Sequence, residues 1–225
     1  GSYSRRIKID DEGDISLDGV SLGKPLGGGM FNFVFALPDG RHVLRVMNKP
    51  GRKANISAWK LFSRKGISPD IVDSGFINED AEGFYFIVTT KLDKRLDQLG
   101  PLNDQQMKAV IELFERMLDE STGLVDVFDL RPDNIMITGS ENQGYRAWVS
   151  DPEQGFVYTG ESQDLAENIH SRITDLQAQP AWKRIDPSGK ITAFLKEKSS
   201  PRSSSATVAL GGVREKAPKR DPRLS

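Results

Sequence analysis

Hydrophobic and polar residues alternate over several short stretches in the first half of the chain, and apolar residues recur at every second position there. This period of two is typical of β-strands with one buried face. Proline presets φ and glycine accepts a positive φ, so Pro38-Asp39-Gly40 predicts a tight turn between two of these stretches. Strands are predicted at 7–9, 15–17, 31–35, 42–47, 71–77 and 84–89.

Apolar residues recur at helical spacing in three other stretches. Helices are predicted at 54–65, after an N-cap at Asn103, and at 164–176. Short apolar runs, separated by polar turns, lie at 125–128, 135–137 and 147–149. Because strands come first and helices follow, the order predicts an α+β fold with two lobes: a strand-rich N-terminal lobe and a reduced helical C-terminal lobe.

The composition of the chain excludes several kinds of chemistry. It has 225 residues, no cysteine and two histidines. Without cysteine there is no disulfide framework, zinc–thiolate site, iron–sulfur cluster or thiol catalysis. No run of residues approaches the ~18 apolar positions of a membrane helix. We therefore expect a cytoplasmic protein without a membrane partner.

Charge is distributed unevenly, although the formal net charge is only −1. Residues 196–225 carry a net charge of +5 and no aromatic residue, whereas residues 1–195 carry −6. A segment rich in Ser, Pro, Gly and basic residues cannot bury a core of its own. We predict a compact domain at 3–195 and a flexible basic tail at 196–225. Without aromatic residues for base stacking, the tail does not favour a nucleic-acid partner.

A glycine-rich turn opens the hairpin between the third and fourth predicted strands, in Leu26-Gly27-Gly28-Gly29-Met30-Phe31-Asn32-Phe33-Val34. Glycines let backbone N–H groups approach phosphate oxygens, because no side chain blocks them. The basic residue Arg45 follows on the next predicted strand. The glycine-rich turn and Arg45 together predict a phosphate-binding hairpin.

Two polar motifs follow the long predicted helix. Phe128-Asp129-Leu130-Arg131-Pro132-Asp133-Asn134 places an aspartate and an asparagine five positions apart in a loop, which is the spacing of the kinase catalytic loop H-R-D-L-x-x-x-N. Asp151 then follows the apolar run at 147–149. A carboxylate at a strand end beside such a loop can bind the magnesium that bridges nucleotide phosphates.

In this order, the motifs resemble those of protein kinases over residues 20 to about 160. The chain is most similar to compact Ser/Thr kinases of phages and bacterial effectors, such as the early protein kinase of T-odd coliphages. Like these, it has a short glycine loop, a Phe-Asp catalytic loop that ends in Asn-Ile-Met, and Asp-Pro in place of Asp-Phe-Gly. The resemblance implies an enzyme that uses ATP and Mg²⁺ to phosphorylate Ser or Thr of host or partner proteins.

The resemblance also implies a role for each matched residue. Asp129 orients the attacking hydroxyl, Arg131 stabilises the transferred phosphoryl group, and Arg45 holds the phosphates. Asn134 and Asp151 bind Mg²⁺. The nucleotide lies against residues of the glycine hairpin and the strand that follows it: Gly27, Gly28, Gly29, Asn32, Val34 and Arg45.

The chain departs from the kinase pattern at several positions. Arg45 stands where kinases carry lysine, and no acidic residue occurs from 41 to 69, so the helix at 54–65 offers no glutamate to pair with it. Asn32 replaces the third glycine of the loop. Val127 and Phe128 replace the His-Arg of the catalytic loop, which disfavours control by a phosphorylated activation loop.

Two other functions remain open at this point. Aminoglycoside- and choline-type kinases share the V-L-R strand and an acidic residue two positions after the metal-binding aspartate, here Glu153, but they insert substrate-binding helices where this chain has only residues 92–103. A pseudokinase that serves as a binding module would explain Arg45 and the missing glutamate. It would not explain why Asp129, Asn134 and Asp151 are all present.

Overall fold

In the computed structural model, the described residues are 3–29, 32–48, 52–77, 84–119, 125–127, 131–152, 155–157 and 162–198. They form thirteen β-strands and five α-helices. The strands are β1 (Ile7–Ile9), β2 (Ile15–Leu17), β3 (Val20–Ser21), β4 (Gly27–Gly29), β5 (Asn32–Ala36), β6 (His42–Asn48), β7 (Ile71–Phe76), β8 (Phe84–Thr90), β9 (Lys94–Arg95), β10 (Val125–Val127), β11 (Ile135–Ser140), β12 (Gly144–Val149) and β13 (Gly155–Val157). The helices are α1 (Arg52–Arg64), α2 (Asp104–Leu118), α3 (Ser162–Ala178), α4 (Pro180–Ile185) and α5 (Lys190–Lys198).

Five antiparallel strands form the main sheet of the first half, in the order β4-β5-β6-β8-β7. The predicted turn joins β5 to β6, and Gly40 adopts a φ of +69° there. The Asp39 carboxylate accepts hydrogen bonds from the His42 ring and from the backbone N–H groups of Arg41 and His42. The His42 ring bond, followed by the backbone bonds, lowers the pKa of Asp39 to about 2.

Different elements cover the two faces of this sheet. Strands β1, β2 and β3 form a separate antiparallel sheet that packs on one face and contributes Ile7, Ile15 and Leu17 to a core with Phe35 and Leu44. Helix α1 packs on the opposite face. Its buried residues Ile56 and Trp59 form a second cluster there with three residues of β6 and β8: Met47, Tyr85 and Ile87.

Helix α2 organises the second half of the molecule. The Asn103 side chain accepts a hydrogen bond from the Gln106 N–H at 2.8 Å, and the Gln106 side chain accepts one from the Asn103 N–H at 3.0 Å. This reciprocal capping box satisfies two N–H groups that would otherwise lack partners, so it fixes where the helix starts. The predicted N-cap is thus confirmed. The buried face of α2 meets α3 to α5 and the sheet β12-β11-β9 in the largest core of the described residues.

The C-terminal end of α1 is attached to β12. The Val149 N–H donates to the Ile67 carbonyl at 2.8 Å, and the Ser68 hydroxyl donates to the Val149 carbonyl at 2.8 Å. Gly66, which precedes them, adopts a φ of +69°, and a Cβ there would lie 2.6 Å from the Arg146 guanidinium. The positive φ therefore favours glycine at this position, whereas the close contact involves only the end of the flexible Arg146 side chain.

The predicted mixture of strands and helices is confirmed, with antiparallel sheets throughout the described residues. Helix α3 is longer than predicted, and Pro180 starts α4 rather than only bounding α3. The predicted domain boundary falls within α5, because Leu195 is buried in the core and the helix continues to Lys198. Helix α2 ends at Leu118. Residues 199–225, most of the predicted basic tail, lie outside the described residues. None of the helices described is both long and apolar enough to cross a membrane.

Candidate active site

Side chains from two strands of the main sheet contact the Asp151 carboxylate. Asp151 directly follows Ser150, which comes immediately after the last residue of β12. The Asn32 Nδ2, from β5, donates a hydrogen bond to Asp151 Oδ2 at 3.0 Å. The Arg45 Nη1, from β6, lies 3.6 Å from the same oxygen. Two residues predicted to bind nucleotide are therefore in contact with a residue predicted to bind metal.

Arg45 is held in a mostly buried position. Its side chain is 12% exposed, and its Nη2 donates to the Ser150 carbonyl at 3.2 Å. The guanidinium also lies over the Trp59 ring, 5.4 Å from the ring centroid, which is within the range of a cation–π contact. The sequence offered no glutamate on α1 to pair with Arg45. In the structure, an aromatic ring on α1 and a carboxylate beyond β12 contact the guanidinium instead.

Asn134 connects the predicted catalytic loop to the Asp151 segment. It ends a short 3₁₀ turn, Pro132–Asn134, immediately before β11, and its side chain is buried. Its Oδ1 accepts hydrogen bonds from the Ser150 hydroxyl at 2.8 Å and the Asp151 N–H at 2.9 Å, while its Nδ2 donates to the Asp151 carbonyl at 2.9 Å. In this arrangement, the oxygen predicted to bind Mg²⁺ is engaged with Ser150 and Asp151.

The glycine hairpin lies directly beside these residues. Gly27 is paired with Val34, and Val34 with Arg45, so the three lie in one row across β4, β5 and β6. Directly paired residues of an antiparallel sheet share a face. The φ of Gly27 is not in the left-handed region, and a Cβ there would meet nothing within 4 Å. Neither backbone conformation nor packing requires glycine at this position. Because Gly27 has no side chain, the space beside Val34 and Arg45 is open.

The predicted catalytic loop is described only in part. Asp129 lies outside the described residues, between β10 and Arg131. The Arg131 side chain is 54% exposed, and its Nε lies 3.3 Å from Asp133 Oδ1. Strand β10, which leads into this loop, pairs with β13. The roles predicted for Asp129 and Arg131 stay predictions.

A divalent cation and a nucleotide phosphate can be tested against the residues present. Asp151 supplies a carboxylate, the ligand that Mg²⁺ prefers, and Arg45 supplies a buried cation for phosphate. Within the described ranges, no three acidic or histidine side chains come together as a metal cluster. Two buried atoms on the side chains that contact Asp151, Asn32 Oδ1 and Arg45 Nε, have no hydrogen-bond partner among the described residues. The donor set therefore fits a metal–phosphate pair better than a protein-only metal cage.

Sequence reasoning missed two contributors to this site. Ser150 accepts a hydrogen bond from Arg45 and donates one to Asn134, and Trp59 stacks under Arg45. Trp59 lies within the predicted helix 54–65, where helical spacing gives the same signal whether or not a guanidinium covers the ring. The position of Ser150 directly before Asp151 was the only available clue to its role.

Neither a family model nor a curated protein sequence matches the chain. Among solved structures, the chain is similar to WaaP in a complex with acyl carrier protein, at 14% sequence identity and a TM-score of 0.45. The match covers 78% of this chain and 87% of the WaaP chain. At this level of similarity, function has to be inferred from the residues of the chain itself.

Proposed function

We propose that the chain is an ATP-dependent phosphotransferase with a protein-kinase-like arrangement of its two halves. We further propose that it transfers the γ-phosphoryl group to Ser or Thr hydroxyls of proteins in a host cell. One observation carries this proposal: side chains from three separate segments meet at Asp151. Asn32 lies on the second strand of the glycine hairpin, Arg45 lies on the next strand, and Asn134 ends the predicted catalytic loop.

The strand-rich half supplies the residues that bind phosphate. The guanidinium of Arg45 can donate two parallel hydrogen bonds to phosphate oxygens. Its mostly buried position strengthens those bonds, because little water screens them. The open space at Gly27 allows the hairpin backbone to approach the phosphates. Mg²⁺, when bound, neutralises charge on the phosphate oxygens, and Asp151 would hold it.

The loop before β11 supplies the residues that act on the acceptor. Asp129 orients the acceptor hydroxyl and accepts its proton. The hydroxyl oxygen forms a bond to the γ-phosphorus as the bond from that phosphorus to the leaving ADP oxygen breaks. Arg131 donates to the oxygens of the transferred group. Little covalent chemistry falls to the protein, so positioning and electrostatics provide the rate.

The segment between β8 and α2 supports a protein acceptor over a small molecule. Residues 91–103 contain only the two-residue strand β9 and a short 3₁₀ turn, Leu96–Gln98. Strand β9 pairs with β11, so this connection crosses directly to the second half. It leaves no helix there to enclose a small substrate.

The experiment that tests this function is phosphoryl transfer from γ-labelled ATP to proteins of a host-cell lysate. Wild-type protein is expected to label proteins on Ser or Thr, and Asp129→Ala is expected to abolish labelling. Glu141→Ala, which changes an exposed turn residue between β11 and β12, serves as the control and should label normally. Equal labelling by wild type and Asp129→Ala would contradict the assignment of Asp129. Transfer to small molecules alone would contradict the protein acceptor.

A further inference from the structure

Only one of the two polar atoms of the Asn32 side chain is hydrogen-bonded. Its Nδ2 donates to Asp151 Oδ2 at 3.0 Å, whereas its Oδ1 is buried with no hydrogen-bond partner among the described residues. Most buried polar atoms in native proteins are hydrogen-bonded, so an isolated acceptor of this kind needs an explanation. A bound cation is one partner that an amide oxygen accepts.

Arg45 carries a second buried atom without a partner, and this atom has the opposite polarity. Its Nε is a donor with no acceptor among the described residues, while its Nη2 donates to the Ser150 carbonyl. Asn32 pairs with Met47, and Val34, two residues further along β5, pairs with Arg45. Residues two apart on a strand share a face, so Asn32 and Arg45 lie on the same face of the sheet. The two side chains that contact the Asp151 carboxylate therefore carry one unused acceptor and one unused donor.

Asn134 differs from Asn32 in how its amide is used. Its Oδ1 accepts two hydrogen bonds, and its Nδ2 donates one to the Asp151 backbone. These contacts hold Asp151 in position. They also leave the Asn134 side-chain oxygen bound to Ser150 and Asp151. Of these two amide oxygens beside Asp151, that of Asn32 has no partner within the described part of the chain.

We propose that Asn32, on the second strand of the glycine hairpin, is an oxygen ligand of the divalent cation bound by Asp151, and that Asn134 is a positioning residue for Asp151. This inference rests on the proposed phosphotransfer function. Mg²⁺ takes hard oxygen ligands and binds through few protein side chains together with substrate phosphates. The unused acceptor of Asn32 suits the cation and the unused donor of Arg45 suits the phosphate. The two atoms thus match the two halves of a metal–phosphate pair.

The observed hydrogen bond from Asn32 to Asp151 suggests a competing explanation with an opposite consequence. If Asn32 only donates to Asp151, it competes with the cation for that carboxylate. Removing the amide would then strengthen cation binding. If Asn32 is a ligand, removing the amide weakens cation binding. The sign of the change therefore distinguishes the two roles.

The test measures binding of Mn²⁺, as a paramagnetic substitute for Mg²⁺, by electron paramagnetic resonance with and without a non-hydrolysable ATP analogue. We expect Asn32→Leu and Asn32→Ala each to weaken Mn²⁺ binding roughly tenfold or more. Asn32→Asp, which retains an oxygen, should bind Mn²⁺ at least as tightly as wild type. Asn48→Leu, at the end of β6, is the control and should match wild type. Using both Asn32→Leu and Asn32→Ala keeps the test available if one of them fails to fold.

The outcomes separate this inference from the proposed function. Unchanged or tighter Mn²⁺ binding by Asn32→Leu or Asn32→Ala, in a wild-type protein that binds Mn²⁺ and the nucleotide analogue, would overturn the ligand role of Asn32 alone. Absence of both Mn²⁺ and nucleotide binding in the wild-type protein would overturn the proposed function and this inference together.

Discussion

The Asn134 side chain closes a ring of hydrogen bonds with the backbone of Asp151, seventeen residues further along the chain. Its Oδ1 accepts from the Asp151 N–H and its Nδ2 donates to the Asp151 carbonyl, each at 2.9 Å. The Ser150 N–H also donates to the Asn134 carbonyl at 2.9 Å. Through these bonds, the end of the predicted catalytic loop fixes the backbone that carries the candidate metal-binding carboxylate.

Asn134→Ala should destabilise the protein as well as impair phosphotransfer. The substitution removes the hydrogen bonds that the Asn134 side chain makes with the Ser150 hydroxyl and with the N–H and carbonyl of Asp151, in a mostly buried region. Each such loss costs on the order of 1–3 kcal/mol. Chemical denaturation should show a lower free energy of unfolding. Asn142→Ala, in the exposed turn between β11 and β12, provides the matched control. Equal stability of the two variants would show that the Asn134 amide does not hold Asp151.

Arg116 on α2 joins the end of α1 to β12. Its Nε donates to the Gly66 carbonyl at 2.9 Å and its Nη2 to the Ala147 carbonyl at 2.7 Å. Burial, with a smaller contribution from the nearby Arg146, lowers the pKa of Arg116 to about 10, so it stays charged at neutral pH. The two carbonyls belong to different elements, and one planar guanidinium reaches both.

Arg116→Ala should therefore lower the free energy of unfolding by about 1–3 kcal/mol. The melting temperature should fall as a result. Arg116→Lys should recover only part of the loss, because an ammonium cannot reproduce the planar fork. Lys108→Ala, which changes an exposed cation on the same helix, should leave thermal melts unchanged. Full recovery by Arg116→Lys would show that the charge, rather than the fork, matters at this position.

The partial burial of His170, on α3, should make the free energy of unfolding depend on pH. Partial burial lowers the pKa of His170 below its usual 6.5. As the pH falls through this range, the unfolded chain takes up a proton before the folded protein does, so folding becomes less favourable. Thermal melts between pH 5 and 7 should show that His170→Gln loses less stability on acidification than wild type. His42 is present in both proteins, so its contribution cancels. Parallel pH profiles would contradict the effect of burial on His170.

Most of the secondary structure could be predicted from the sequence, because it depends on local patterns. Alternation indicated β5, β6 and β8, and Asn103 indicated the start of α2. The two-residue strand β9 was missed, because it exists only by pairing with β11. The separate packing of β1 to β3 on the face of the main sheet opposite α1 was also missed, since a single sequence does not show which face a strand covers.

The candidate site could be predicted as a set of residues but not as a set of contacts. The motif spacings indicated Arg45, Asn134 and Asp151 together. The stacking of Arg45 on Trp59 and the hydrogen bond from Asn32 to Asp151 depend on side chains brought together by the fold. Residues 119 positions apart leave no local pattern in a sequence. The engagement of the Asn134 oxygen with Ser150 and Asp151 likewise became evident only from the geometry.

The most direct test of the proposed function measures whether Mg²⁺-ATP stabilises the protein through Asp151. A ligand that binds only the folded state raises the melting temperature. Thermal melts of wild type, Asp151→Asn and the exposed control Asp175→Asn should be compared with Mg²⁺-ATP, with ATP and a chelator, and without ligand. We expect Mg²⁺-ATP to raise the melting temperatures of wild type and Asp175→Asn above their own ligand-free values, and to raise that of Asp151→Asn much less above its own ligand-free value. Equal Mg²⁺-ATP shifts in wild type and Asp151→Asn, or no shift in wild type, would contradict a magnesium–nucleotide site at Asp151.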